Sequence, residues 1–81
     1  MSTFEKYYYK NIAERIRTLR ISNGYTQEEL SEKLSKNPKY INHIECCSRK
    51  ISNKMLIKIM DFFQILPSDF FKFEVDYEWI K

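Results

Sequence analysis

Residues 26–45, TQEELSEKLSKNPKYINHIE, leave this chain few choices of fold. Thr26 followed three residues later by Glu29 is a capping-box pair, in which each side chain satisfies an orphan backbone N–H at a helix start. Leu30 and Leu34 are four residues apart and share one side of that helix, while Gln27, Glu28, Ser31, Glu32 and Lys33 cover the rest as polar surface. The helix is expected to end near Ser35. Asn37 is a good N-cap for a second helix, with Pro38 at its first position, where a missing N–H costs nothing. On that second helix Tyr40, Ile41 and Ile44 are apolar, and Lys39, Asn42 and His43 share the other side. Ile41 and Ile44 can pack back on Leu30 and Leu34, so the first helix braces the second, which presents a short polar and basic face. Such a face fits the major groove of B-DNA, where amide and cationic side chains reach base edges.

This order of residues resembles the helix-turn-helix of the Cro/C1-type (XRE) repressor family, in which a TQEELA-like helix precedes an S-x-x-Y-I-S-x-I-E-like recognition helix. The matching residues are Thr26, Gln27, Glu28, Glu29 and Leu30, then Asn37, Tyr40, Ile41, Asn42, Ile44 and Glu45. RIRTLRISNGYTQEEL looks like the family's first helix and its lead-in, and the likeness runs on to about Phe71. It implies an all-α fold, a compact domain of four to five helices occupying residues 1–81. It also implies sequence-specific binding of double-stranded DNA and transcriptional regulation by a homodimer. One recognition helix, residues 38–45, covers only a few base pairs, so two copies about 34 Å apart would read a palindromic operator.

Lys39, Asn42 and His43 are the expected base-contacting residues, with Asn37 and Tyr40 near the same edge. Asn can bond bidentately to adenine and Lys to guanine. Gln27, Lys36, Arg49, Lys50 and Arg17 are the expected phosphate contacts. In the family a Gln at the place of Gln27 commonly holds a phosphate, and a helix N-terminus favours an anion. Arg17 has a second reading, a pair with Glu45 inside the fold, and the family's structural Ile-Glu carboxylate favours it. Two positions depart from the family pattern. Lys36 stands where an apolar residue is usual, and its stem can cover the core while its ammonium reaches water. Cys47 stands where Gly is usual, at a steric cost if the backbone there takes a positive φ.

Charge agrees with this placement. The net charge of +3 is mild, but residues 1–50 carry ten Lys/Arg against six Asp/Glu, and residues 51–81 carry four against five. A basic field gathered around one motif is expected where a face meets phosphate. No apolar run is long enough for a membrane helix, and the N-terminus lacks a signal-peptide h-region. Cys46 and Cys47 are adjacent, close no useful loop and lack metal-ligand spacing, which fits a reducing cytoplasm. No nucleophile–base pair, metal cluster or phosphate loop is present, so no enzyme, cofactor or metal site is expected.

The flanks complete the domain. Ser2 and Glu5 suggest a cap, and Phe4, Tyr8, Ile12, Ile16 and Leu19 form one helical stripe running toward Asn23-Gly24, a stop signal. Ser52 can cap a fourth helix with Met55, Leu56, Ile59, Met60 and Phe63 on its apolar side. Pro67 opens a short fifth helix. From Phe71 to Trp79 the chain alternates strictly, with Phe71, Phe73, Val75, Tyr77 and Trp79 separated by charged residues. Period two marks a half-buried strand, and a lone strand needs a partner edge. The same strand of a second copy is one partner, as in Cro-type dimers; a tail laid over the first helix is the alternative. The expected dimerisation residues are therefore Phe70, Phe71, Phe73, Val75, Tyr77 and Trp79. The run Ser48-Arg49-Lys50-Ile51 resembles that of the small controller proteins of restriction–modification systems; phage repressors and antitoxin regulators fit almost as well. A protein-interaction module with little or no DNA binding, such as an antitoxin or assembly adaptor, is the competing function.

Overall fold

A computed structural model describes residues 2–73. Five helices follow one another among these residues: α1 (Thr3–Ser22), α2 (Gln27–Lys33), α3 (Tyr40–Glu45), α4 (Asn53–Phe63) and α5 (Pro67–Phe70). None is long and apolar enough to cross a membrane.

Each start follows from a local signal. Ser2 Oγ accepts from the Glu5 N–H at 3.1 Å, and Ser52 Oγ accepts from Met55 in the same way. The capping box at α2 is reciprocal: Thr26 Oγ1 accepts from Glu29 N at 3.0 Å, and Glu29 Oε1 accepts from Thr26 N at 2.9 Å. These bonds hold the Glu29 carboxyl below the ordinary glutamate range, the Thr26 backbone donor contributing most. The start of α3 differs from expectation. Asn37 does not cap it; its Oδ1 accepts from Lys39 N and its carbonyl from Tyr40 N, both at 2.9 Å, so residues 37–40 form an Asx-type turn ahead of the helix.

The ends share one device. At α1 the Gly24 N–H bonds the Ile21 carbonyl and the Tyr25 N–H reaches back to Arg20, with Gly24 at φ +77°. This pair of bonds across a left-handed residue is the Schellman arrangement. It recurs with Ser35 after α2 and with Cys47 after α3, at φ 58° and 59°. Gln64, at φ 54°, turns the chain out of α4, where Ile65 N bonds the Met60 carbonyl. The chain has a single glycine, so three of these four left-handed positions hold side chains that disfavour them.

One core fixes the arrangement. Ile12 and Ile16 of α1, Leu30 and Leu34 at α2, Ile41 of α3, Ile59 of α4 and Phe70 of α5 are wholly enclosed. The α1 stripe does not bury along its length, since Phe4 is 61% exposed. Ser31, expected on the polar surface, is completely buried. Its hydroxyl donates to the Gln27 carbonyl at 2.8 Å and accepts from Ile41 N at 3.0 Å, so it pins the start of α3 onto α2.

The aromatic residues after α5 turn back on the chain's own first helix. Phe70 is in the core, not on a surface that another copy could cover. Phe71 stacks on Tyr8 with ring centroids 6.4 Å apart, and the Arg15 guanidinium lies 5.9 Å from the centre of the Phe73 ring. Arg15 also donates to the carbonyls of Phe70 and Lys72, at 3.0 and 2.6 Å. Residues 71–73 thus form no strand. The rest of the expected strand, with Val75, Tyr77 and Trp79, lies outside the described residues.

Candidate nucleic-acid interface

The recognition helix is held against the core by its own apolar residues. Tyr40, Ile41 and Ile44 are buried, while Lys39, Asn42 and His43 are exposed together. Lys39 is the N-cap of α3, and Asn42 and His43 follow it at i+3 and i+4, the spacing that brings side chains to one side of a helix.

A polar chain runs beneath that face. Arg20 grips Glu45 through two bonds, Nε to Oε2 at 2.7 Å and Nη2 to Oε1 at 3.1 Å, and its Nη1 donates to the Tyr25 carbonyl at 2.9 Å. The two side chains are only 12% and 6% exposed, so the ion pair is largely out of water. Gln27 Nε2 donates to Glu45 Oε1 at 3.1 Å, and Asn42 Nδ2 donates to Gln27 Oε1 at 3.1 Å. A carboxylate can only accept, which sets the direction of both amides in turn. The Asn42 amide group is therefore tethered by one N–H, with its carbonyl oxygen and second N–H left to the outward face.

The arginine that pairs with Glu45 is Arg20, not Arg17 as expected. Arg17 does not bond Glu45; it is exposed at the lip of a cleft lined by Arg20, Tyr25, Thr26, Gln27 and Glu45. Arg20, one turn further along α1, lies where the chain turns into α2 and can bond both Glu45 and the Tyr25 carbonyl. Gln27 is half-buried, with both ends of its amide engaged inside this network.

The flanking cations divide into two groups. Lys36, ahead of α3, and Arg49, after it, each sit 5.4 Å from the centre of the Tyr40 ring. Tyr40 itself is 6% exposed, so its ring is part of the core rather than of the outward face. Burial pushes its phenol up, with the Arg49 charge acting in the opposite sense. Lys50 turns toward the start of α1 instead, 3.6 Å from Glu5 and 5.5 Å from the Tyr9 ring centre. Asn37 is exposed but its side chain is occupied with the turn. The sequence did not single out Lys54, in the first turn of α4, as a site residue; it shares a groove with Lys36, Leu34 and Ser52. His43 Nδ1 lies 3.3 Å from Ser48 Oγ, and the His43 carbonyl accepts from Ser48 N at 3.0 Å, so the loop after α3 is tied to the end of the helix.

A family model described as "Helix-turn-helix domain" matches residues 13–79. No curated protein matches the chain by sequence. Three solved chains do match. One is the crystal structure of the wild-type restriction-modification controller protein C.Esp1396I, 31% identical, at a TM-score of 0.70 over 79% of this chain and 82% of that one.

Proposed function

The chain belongs to the helix-turn-helix family, as a DNA-binding regulator of the Cro/C1 type, and from that premise we propose that it works as a homodimer on a palindromic operator, as a controller-type regulator. The observation that carries this reading is the joint exposure of Lys39, Asn42 and His43 on a helix whose opposite side is locked into the core. A face this rigid can hold amide and cationic groups against base edges without losing much freedom on binding. In this reading Lys39, Asn42 and His43 meet bases, and Asn37 stands at the end of the same edge. Lys36, Arg49, Lys54 and Arg17 reach phosphates and set the register; Gln27 acts through Asn42 as well as toward the backbone.

The homodimer rests on two things. One short helix cannot specify an operator alone, and the alternating residues from Val75 to Trp79 suit pairing with a second copy. Phe71 and Phe73 would then root that segment on α1.

Footprinting the protein on the DNA beside its own gene tests the proposal. Two protected half-sites centred about one helical turn apart are expected, with sedimentation showing a dimer that is lost on truncation after Phe73. A protein that protects no site, even at low salt, would instead act through other proteins. A dimer that survives the truncation would place the interface elsewhere, near exposed Ile57 and Leu66.

A further inference from the structure

Tyr40 is the one aromatic residue of the recognition helix, and base contact gives it no task. Its ring is buried, yet two cations from separate segments lie against it, Lys36 from the turn before α3 and Arg49 from the loop after it, both at 5.4 Å. Both are exposed, and among the described residues neither forms an ion pair with a carboxylate. Their charge is therefore left to solvent while their position is restrained.

We infer that Tyr40 is a positioning residue: its ring brackets Lys36 and Arg49 and sets the spacing of two phosphate-gripping cations around the recognition helix. This rests on the reading of the chain as a duplex-binding regulator. The physical case is one of prior restraint. Lys and Arg side chains lose much rotamer freedom when they grip an anion. Part of that loss is taken beforehand when an aromatic face already holds the cation. One ring also presents negative π-density to both cations, which tempers their mutual repulsion. Because the ring is fixed by the core, the pair keeps register with Lys39, Asn42 and His43. Burial pushes the phenol up, so the ring meets both cations uncharged.

The test uses the full chain, a short duplex of arbitrary sequence, and the slope of log K against log salt, which counts phosphates gripped. Lys36→Ala and Arg49→Ala should each lower the slope by about 1. Tyr40→Phe should leave it unchanged. Tyr40→Leu, checked for folding by its thermal melt, should lower it by about 1 or more, and adding Lys36→Ala should then cost less than in the wild type. In the free wild-type protein the Lys36 ε-methylene and Arg49 δ-methylene protons should be shifted upfield by the ring, a readout that needs no DNA and no variant. Unshifted protons would overturn the bracket. So would a folded Tyr40→Leu protein with the wild-type slope, or a Tyr40→Phe protein that loses as much as Lys36→Ala, since the hydroxyl would then be the contact. A wild type with no salt-dependent duplex affinity would overturn the DNA-binding reading itself, and the bracket with it. A steep wild-type slope that ignores the ring overturns the bracket alone.

Discussion

Cys47 holds a left-handed conformation, φ 59°, at the turn that releases the recognition helix. An L-residue there costs about 1–2 kcal/mol, and glycine gives back part of the gain through its freer unfolded chain. Cys47→Gly is therefore expected to stabilise the protein by roughly 0.5–1 kcal/mol, read as a melting temperature a few degrees higher. An unchanged or lower melt would mean that the thiol's place near the Tyr9 carbonyl matters more than the backbone. Glu29 makes a pH prediction. Its folded-state carboxyl is depressed by the Thr26 bonds, so the capping box contributes in full above the ordinary glutamate value and is lost as pH falls through the lower, folded one. Denaturant titrations at falling pH should show stability dropping on the acid side, and Glu29→Gln should flatten that limb. An acid limb that is identical in the variant would assign it to other carboxylates. Both residues were legible in the sequence: the Thr-x-x-Glu pair names the cap, and a missing glycine names the turn. Ser31 was not, because a serine between polar neighbours reads as surface until its hydroxyl is seen to bridge Gln27 and Ile41.

At the scale of elements, the brace on α3 is the Arg20–Glu45–Gln27–Asn42 chain together with the packing of Ile41 and Ile44. Glu45→Ala removes the only acidic member and strands a guanidinium that is 12% exposed. Loss of one partner from a buried pair costs about 3–5 kcal/mol, a large share of the stability of so small a domain. Arg17→Ala should leave the melt within about 0.5 kcal/mol of wild type, as for an exposed side chain. Equal destabilisation by the two variants, measured by chemical denaturation, would return Arg17 to the pair. Here the sequence led to the right carboxylate and the wrong arginine. Arg17 and Arg20 are three residues apart on one helix face, and periodicity cannot tell which of two turns faces a partner. The chain's return after α2 decides it, since the Tyr25 carbonyl offers Arg20 a second acceptor. The five helices were readable for a related reason: their starts and stops are local chemistry. The start of α3 falls a few residues later than Asn37 and Pro38 suggest, because both suit a turn as well as a helix start.

Over the whole molecule, the basic excess lies in residues 1–50, and the structure sorts the chain's cations by task. Arg20 is consumed in the ion pair, Arg15 holds the carbonyls after α5, and Lys58 donates to the Leu34 carbonyl at 2.7 Å. Lys36, Lys39 and Arg49 remain on the side of the recognition helix. Net charge predicts only general affinity for nucleic acid; which cations are free to provide it required the fold. Phosphate-facing cations should govern affinity for any duplex, and the outward trio should govern choice among duplexes. The ratio of affinities for the protein's own operator and a scrambled duplex of equal length, at one fixed salt concentration, separates these roles. Lys39→Ala and Asn42→Ala are each expected to lower that ratio by the equivalent of about 1–3 kcal/mol, through weaker operator binding with the scrambled affinity little changed. A ratio equal to wild type, with both duplexes weakened alike or neither weakened, would contradict the assignment of sequence reading to this face.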